Sequence, residues 1–266
     1  MHRRKFNPSK YFEFFTIAVR QGLVHRGNVF IRFGFYGVIL LVFSRLWVAA
    51  FEQSPVEGSS PADMLWYLAI TEWIVLSTPL IHLTIEEDVR NGNLAYRLIR
   101  PVSYVWSKVF EGLGTLLLNY LILGCAGFIF AWLLSGELPS HPEGFWFLVP
   151  LGILAGFVSL IFHTIIGLTA FWLQDASPIA WVWQKCAFVF GGLILPVSLY
   201  PGWLQKISVL TPFSSLLYGP AKAALTADLQ LALNTAGLLV CWATGGVLLL
   251  LFIYSRGLRI LDVNGG

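Results

Sequence analysis

Charge is scarce in this sequence, at 12% of 266 residues, so the places where it gathers carry information. The densest internal stretch is TIEEDVRNGNLAYRLIRPVSY, residues 84–104. Within it Glu86, Glu87 and Asp88 run into Arg90, Arg97 and Arg100 before Pro101 ends the pattern. Carboxylates and guanidiniums at this density suit charge-assisted pairing, within the chain or with another protein. No nucleophile–base or metal-ligand constellation accompanies them. Asn91-Gly92-Asn93 is a turn signal, and Asn93 can cap a short helix beginning at Leu94. Leu94 and Leu98 then share one face with Arg97 nearby, the shape of a helix that enters a groove on a partner. A solvated loop helix is the alternative. It accounts for the arginines, but less readily for the acids and the leucines.

Two further charges, Arg45 and Glu72, stand inside long apolar runs. They lie about six and eight residues from the linked ends of those runs, depths that differ by about 3 Å. A charge left alone there costs roughly 2.5–3.5 kcal/mol, so a mutual ion pair is expected. Snorkelling of Arg45, with Glu72 facing a wet cavity, is the alternative. Later in the chain, Pro196, Pro201, Pro212 and Pro220, with Trp203 among them, cut an apolar region into pieces too short to cross a bilayer. Broken backbone at membrane depth survives when buried in protein or lining a cavity. Short helices dipping in from the outer face are expected, with a plain extracellular loop as the alternative.

Other chemistry is missing. The sequence has no G-x-x-x-x-G-K-[ST] to cradle nucleotide phosphates, and no H-E-x-x-H or G-x-S-x-G. The histidines are scattered at 2, 25, 82, 141 and 163. Cys125, Cys186 and Cys241 sit in apolar runs without metal or redox spacing, and read as small packing residues. Basic residues are not interleaved with aromatics in the manner of a nucleic-acid surface.

The elements that must position these residues follow from composition. Hydrophobic residues make up 57% of the chain and mean hydropathy is +0.73, against about 25% charge in soluble domains. Apolar runs of about twenty residues predict helices that cross roughly 30 Å of hydrocarbon. Six such spans are expected, at 29–51, 64–84, 106–135, 145–173, 179–199 and 230–254, in an all-α polytopic fold. The basic start and WVAAF (47–51) loosely imitate a secretory signal, but about 28 residues precede the apolar run and Arg45 interrupts it. A genuine span is therefore expected there.

Lys and Arg gather before the first span, in the 84–105 loop and in the tail 255–266, while the 52–63 and 136–144 loops carry acids and no Lys or Arg. Both termini are therefore expected in the cytoplasm, with the 200–229 loop mildly dissenting through Lys206 and Lys222. The first 28 residues are too polar to span. Phe12, Phe15, Val19 and Leu23 recur opposite Glu13, Thr16 and Arg20, which predicts an amphipathic helix in the cytoplasmic interface. The transmembrane domain then covers 29–254, with the charged segment 86–100 on its cytoplasmic side.

The run EDVRNGNLAYRLIRPVSY resembles the ABC-2 type transporter permeases, in the branch that carries an acid, a base, G-N-L and L-x-R-P between its second and third spans. GGLILPVSLYPGWLQKISVLTPF is similar to the proline-broken outer segment of that family, and the amphipathic start to its interfacial elbow. The resemblance implies a permease subunit without enzymatic activity of its own. Two permease subunits, identical or paralogous, would enclose the path in the inner (plasma) membrane. Separate ABC ATPase subunits would bind ATP and magnesium, with no cofactor on this chain. Residues 86–100 would be the coupling helix. Export of an amphiphile is implied, in contact with lipid and not nucleic acid. A secondary, ion-coupled transporter is the competing reading, though the paired halves and buried ion-coupling residues it needs are not evident beyond Arg45 and Glu72.

Overall fold

The computed structural model describes residues 8–24, 26–54, 59–99, 101–173 and 175–264. Among these, thirteen α-helices and no strand are found. They are α1 (Pro8–Val24), α2 (Arg26–Gln53), α3 (Pro61–Ser77), α4 (Ile81–Arg90), α5 (Asn93–Leu98), α6 (Tyr104–Ser135) and α7 (Phe145–Leu168). Then follow α8 (Ala170–Leu173), α9 (Ser177–Phe190), α10 (Gly202–Leu210), α11 (Pro212–Leu216), α12 (Tyr218–Thr226) and α13 (Leu229–Asn264). Five stretches among the described residues are long and apolar enough to cross a membrane: Phe30–Gln53, Pro61–Arg90, Tyr104–Ser135, Pro142–Leu173 and Leu229–Arg259.

The span expected at 179–199 differs from what is found. Its helix, α9, has 14 residues and reaches about 21 Å, short of the ~30 Å hydrocarbon core. Gly191 and Gly192 end it, Gly192 at φ +69°, a left-handed conformation that costs other residues about 1–2 kcal/mol. The chain is captured there by α3: the Tyr67 hydroxyl donates to the Gly192 carbonyl, and Thr71 Oγ1 donates to the Leu193 carbonyl at 2.7 Å. Beyond the turn come the short helices α10, α11 and α12. Pro201 precedes α10 and Pro212 opens α11, positions where a missing N–H removes no helix bond. Pro196 precedes the 3₁₀ turn Val197–Leu199, and Trp203 is exposed on α10.

Helices α6 and α7 form the backbone of the bundle. They run antiparallel, and small residues let them approach: Gly112 faces Leu160, Gly156 faces Leu116, and Gly152 lies under the Tyr120 hydroxyl. Without a strong hydrophobic drive between helices in lipid, such close packing is a principal source of association. Helix α1 follows α6 in the same direction, with Tyr11 against Phe110, Phe15 and Ala18 against Gly114, and Gly22 against Leu118. Its buried residues are Tyr11 and Ala18, while Phe12 and Leu23 of the expected apolar face are exposed. Helices α2 and α3 run antiparallel, Arg32 reaching the carbonyl of Leu76 and Tyr36 that of Ala69.

Candidate functional site, the charged segment between the second and third spans

The segment at 84–104 becomes the end of α4, a turn, and α5. Gly92 makes the turn possible with φ +71°. It stands at the N-cap of α5, so Asn93 is the first helical residue, one position away from the cap expected for it. Helix α5 ends at Leu98, and Arg100 lies outside the described residues.

Asp88 is the hub. Its Oδ1 lies 3.3 Å from Nε of Arg97 and its Oδ2 lies 3.2 Å from Nζ of Lys108. The Tyr104 hydroxyl also donates to Oδ2, at 2.8 Å. Lys108 pairs in addition with Glu111 at 3.6 Å and lies 3.4 Å from Thr84 Oγ1. The Asp88 and Lys108 side chains are 7% and 3% exposed, whereas Arg97 keeps 39%. A buried carboxylate with two cations and a hydroxyl around it has its charge answered locally. It therefore ties α4, α5 and the start of α6 together and is not available to a partner.

Glu86 is buried as well. It accepts a hydrogen bond from the Ala176 backbone N–H at 3.3 Å, which holds the link between α8 and α9 against α4. In that link Asp175 is held below the usual carboxylate range by the Ser177 backbone N–H and side chain, with Arg90 contributing. Glu87, Arg90 and Asn93 are exposed.

The leucine face is the main departure from expectation. Leu94 is 1% exposed and packs with Ile81, Ile85, Tyr104 and Val105, and Leu98 lies against the same cluster. These leucines seal α5 onto its own chain and are not offered outward. The outward apolar residues are Tyr96 and Ile99, 77% and 80% exposed. Spacing could have found them, since positions 96 and 99 share a helix face that diverges from that of 94 and 98.

The expected Arg45–Glu72 pair is not formed. Glu72 is buried on α3 and Arg45 is exposed on α2. The antiparallel register explains the separation. Arg32 and Tyr36 are the α2 residues that reach α3 on either side of Glu72, at Leu76 and Ala69. Arg45 is nine positions beyond Tyr36, about 14 Å further along the axis. Arg32, not singled out in the sequence, is the arginine that enters the α2–α3 seam. Its guanidinium caps a carbonyl left open at the C-terminus of α3, where a cation also complements the helix dipole.

No curated protein matches the chain. The sequence model of the family described as "ABC-2 family transporter protein" matches residues 35–265, a stretch that begins within the first span and includes the other four and the whole charged segment. A membrane subunit of this family associates with an ABC ATPase and is generally not itself catalytic. With its apolar helices, its tightly packed α6–α7 core and a short helix held between the second and third spans, the chain belongs to the ABC-2 transporter permease family.

Proposed function

We propose that this chain is the permease subunit of an ABC exporter, driven by ATP that a separate ATPase subunit binds with magnesium and hydrolyses. In this reading the chain crosses the inner (plasma) membrane six times with both termini in the cytoplasm. The fifth crossing is made by α9 together with the broken segment through α12, which dips in from the outer face. Pro196, Pro201, Trp203 and Pro212 shape the outer gate. Helix α1 lines the cytoplasmic interface. A second permease, identical or paralogous, completes the path, and the exposed apolar faces of α2 and α13 are shared between it and lipid. Amphiphilic substrates suit the aromatic-rich, apolar helices.

One observation carries the reading. Helix α5 turns Leu94 inward and leaves exposed Tyr96 and, just past its end, Ile99, on a segment that also exposes Glu87, Arg90 and half of Arg97. An aromatic and an aliphatic anchor on a segment that also presents charge fit a groove on a partner. Membranes expressing the chain with its ATPase provide the test. Tyr96→Asp and Ile99→Asp should keep normal permease abundance and lose most ATPase copurification and ATP-dependent substrate movement. Undiminished copurification in both variants, or transport that follows a proton or sodium gradient without ATP, would reject the proposal.

A further inference from the structure

Residues 61–90 are apolar enough to cross the membrane as one helix, yet they form two, α3 and α4. Pro79 has no N–H to donate and pushes the residue before it out of the helical region. Thr78 accordingly has φ −72° and ψ 124°. The open carbonyls of the last turn of α3 are met from both neighbours: Arg32 of α2 donates to Leu76, and Asn119 Nδ2 of α6 donates to Ser77 at 3.4 Å. Thr78 Oγ1 donates back to Ile74 at 3.2 Å. A break whose backbone groups are answered by side chains can persist at this depth.

The two halves keep different company. Tyr67, Ile70 and Ile74 of α3 belong to a cluster with Leu148, Leu151, Ala155, Phe213 and Leu217. Ile81 and Ile85 of α4 belong to a separate cluster with Leu94, Tyr104, Val109, Leu160 and Ile165. Asp88 then binds α4 to α5 through Arg97, and to α6 through Lys108.

We propose that residues 81–98 act as one lever that pivots at Thr78–Leu80, with Lys108 as the positioning residue that locks the lever to α6. This rests on the reading of α5 as the ATPase contact. A push on Tyr96 or Ile99 cannot be absorbed by α5 alone, because Leu94 and the Asp88–Arg97 pair carry α4 with it. The backbone at 78–80 has no continuous helical ladder to resist the turn, so it takes up the φ/ψ change. Lys108 passes the movement to α6.

The test uses the full transporter with its ATPase in proteoliposomes, with spin labels at Leu46 of α2, outside the lever, and Leu121 of α6, both exposed. In the native chain the inter-label distance should shift by several ångströms between nucleotide-free and ATP-trapped states. Lys108→Met should keep ATPase copurification and ATP turnover, lose the distance shift and lower transport per ATP about tenfold. Lys108→Arg should restore both. Because Lys108→Met leaves Asp88 with one cation fewer, Asp88→Asn with Lys108→Met serves as a charge-neutral second variant, and the same loss of coupling is expected. Pro79→Ala, which returns the missing N–H, should shrink the shift without altering ATPase binding. A native shift that survives both Lys108→Met and the double variant, with unchanged transport per ATP, would overturn the lever while leaving the ATPase contact intact. Absence of ATPase binding by the native chain would overturn both.

Discussion

Leu94 and Tyr96 stand two positions apart and face opposite surroundings. Leu94 is enclosed by its own chain, so Leu94→Ala should destabilise the permease by about 2–5 kcal/mol, the usual range for such a cavity. Leu94→Asp should do worse, because a carboxylate would be buried without a partner. Detergent melting and membrane abundance would register both losses, whereas Tyr96→Asp should leave them unchanged. Equal abundance of Leu94→Asp and Tyr96→Asp would contradict the packing of α5. The sequence shows the helix, its turn and its charges, but not which apolar face its own chain covers. A leucine stripe has the same spacing whether it seals inward or docks outward. The hub was hidden for a related reason: the partner of Asp88 is Lys108, twenty residues on, at the start of the next span. It reads there as a boundary residue.

At the scale of elements, helix existence was legible and helix register was not. Apolar runs locate α2, α6, α7 and the start of α13 closely, because hydropathy is a local property, but the span expected at 64–84 runs through the break after Ser77 and α13 continues to Asn264, ten residues past the expected end. The α2–α3 register depends on side chains meeting across a seam. Matching depths from the shared loop placed Arg45 beside Glu72, whereas Arg32 and Tyr36 occupy that level. Two outcomes follow. Arg45→Ala and Glu72→Gln should change melting additively, within about 0.5 kcal/mol, as distant sites do. A coupling well above that would mean the two side chains meet. Gly192→Ala should destabilise by roughly 1–2 kcal/mol for its left-handed backbone alone. Crowding against Val197 and the Tyr67 hydroxyl adds to that loss, and melting of the purified subunit would measure it.

The whole molecule turns on how the region from α9 to α12 sits relative to the membrane. A helix of 14 residues cannot cross alone, and Leu193 meets Thr71 well inside α3, whose other end is the capped start at Ser60 and Pro61. The chain therefore turns while still alongside α3 and continues into the short helices α10, α11 and α12. Composition could only mark 179–199 as apolar, because the two glycines that end α9 are themselves compatible with a span. If the Lys and Arg asymmetry orients the chain as expected, the two flanks of this region lie on opposite sides. Cys125, Cys186 and Cys241 would first be replaced by alanine. Single cysteines at Ser140 and at the exposed Trp203 should then react with an impermeant thiol reagent added outside sealed cells. Cysteines at Asn91 and Ser177, which flank the hub and open α9, should react only after permeabilisation. Labelling of Asn91 from outside would invert the topology. Labelling of Ser177 and Trp203 from the same side would show that α9 and the broken helices enter and leave by one face, reducing six crossings to five.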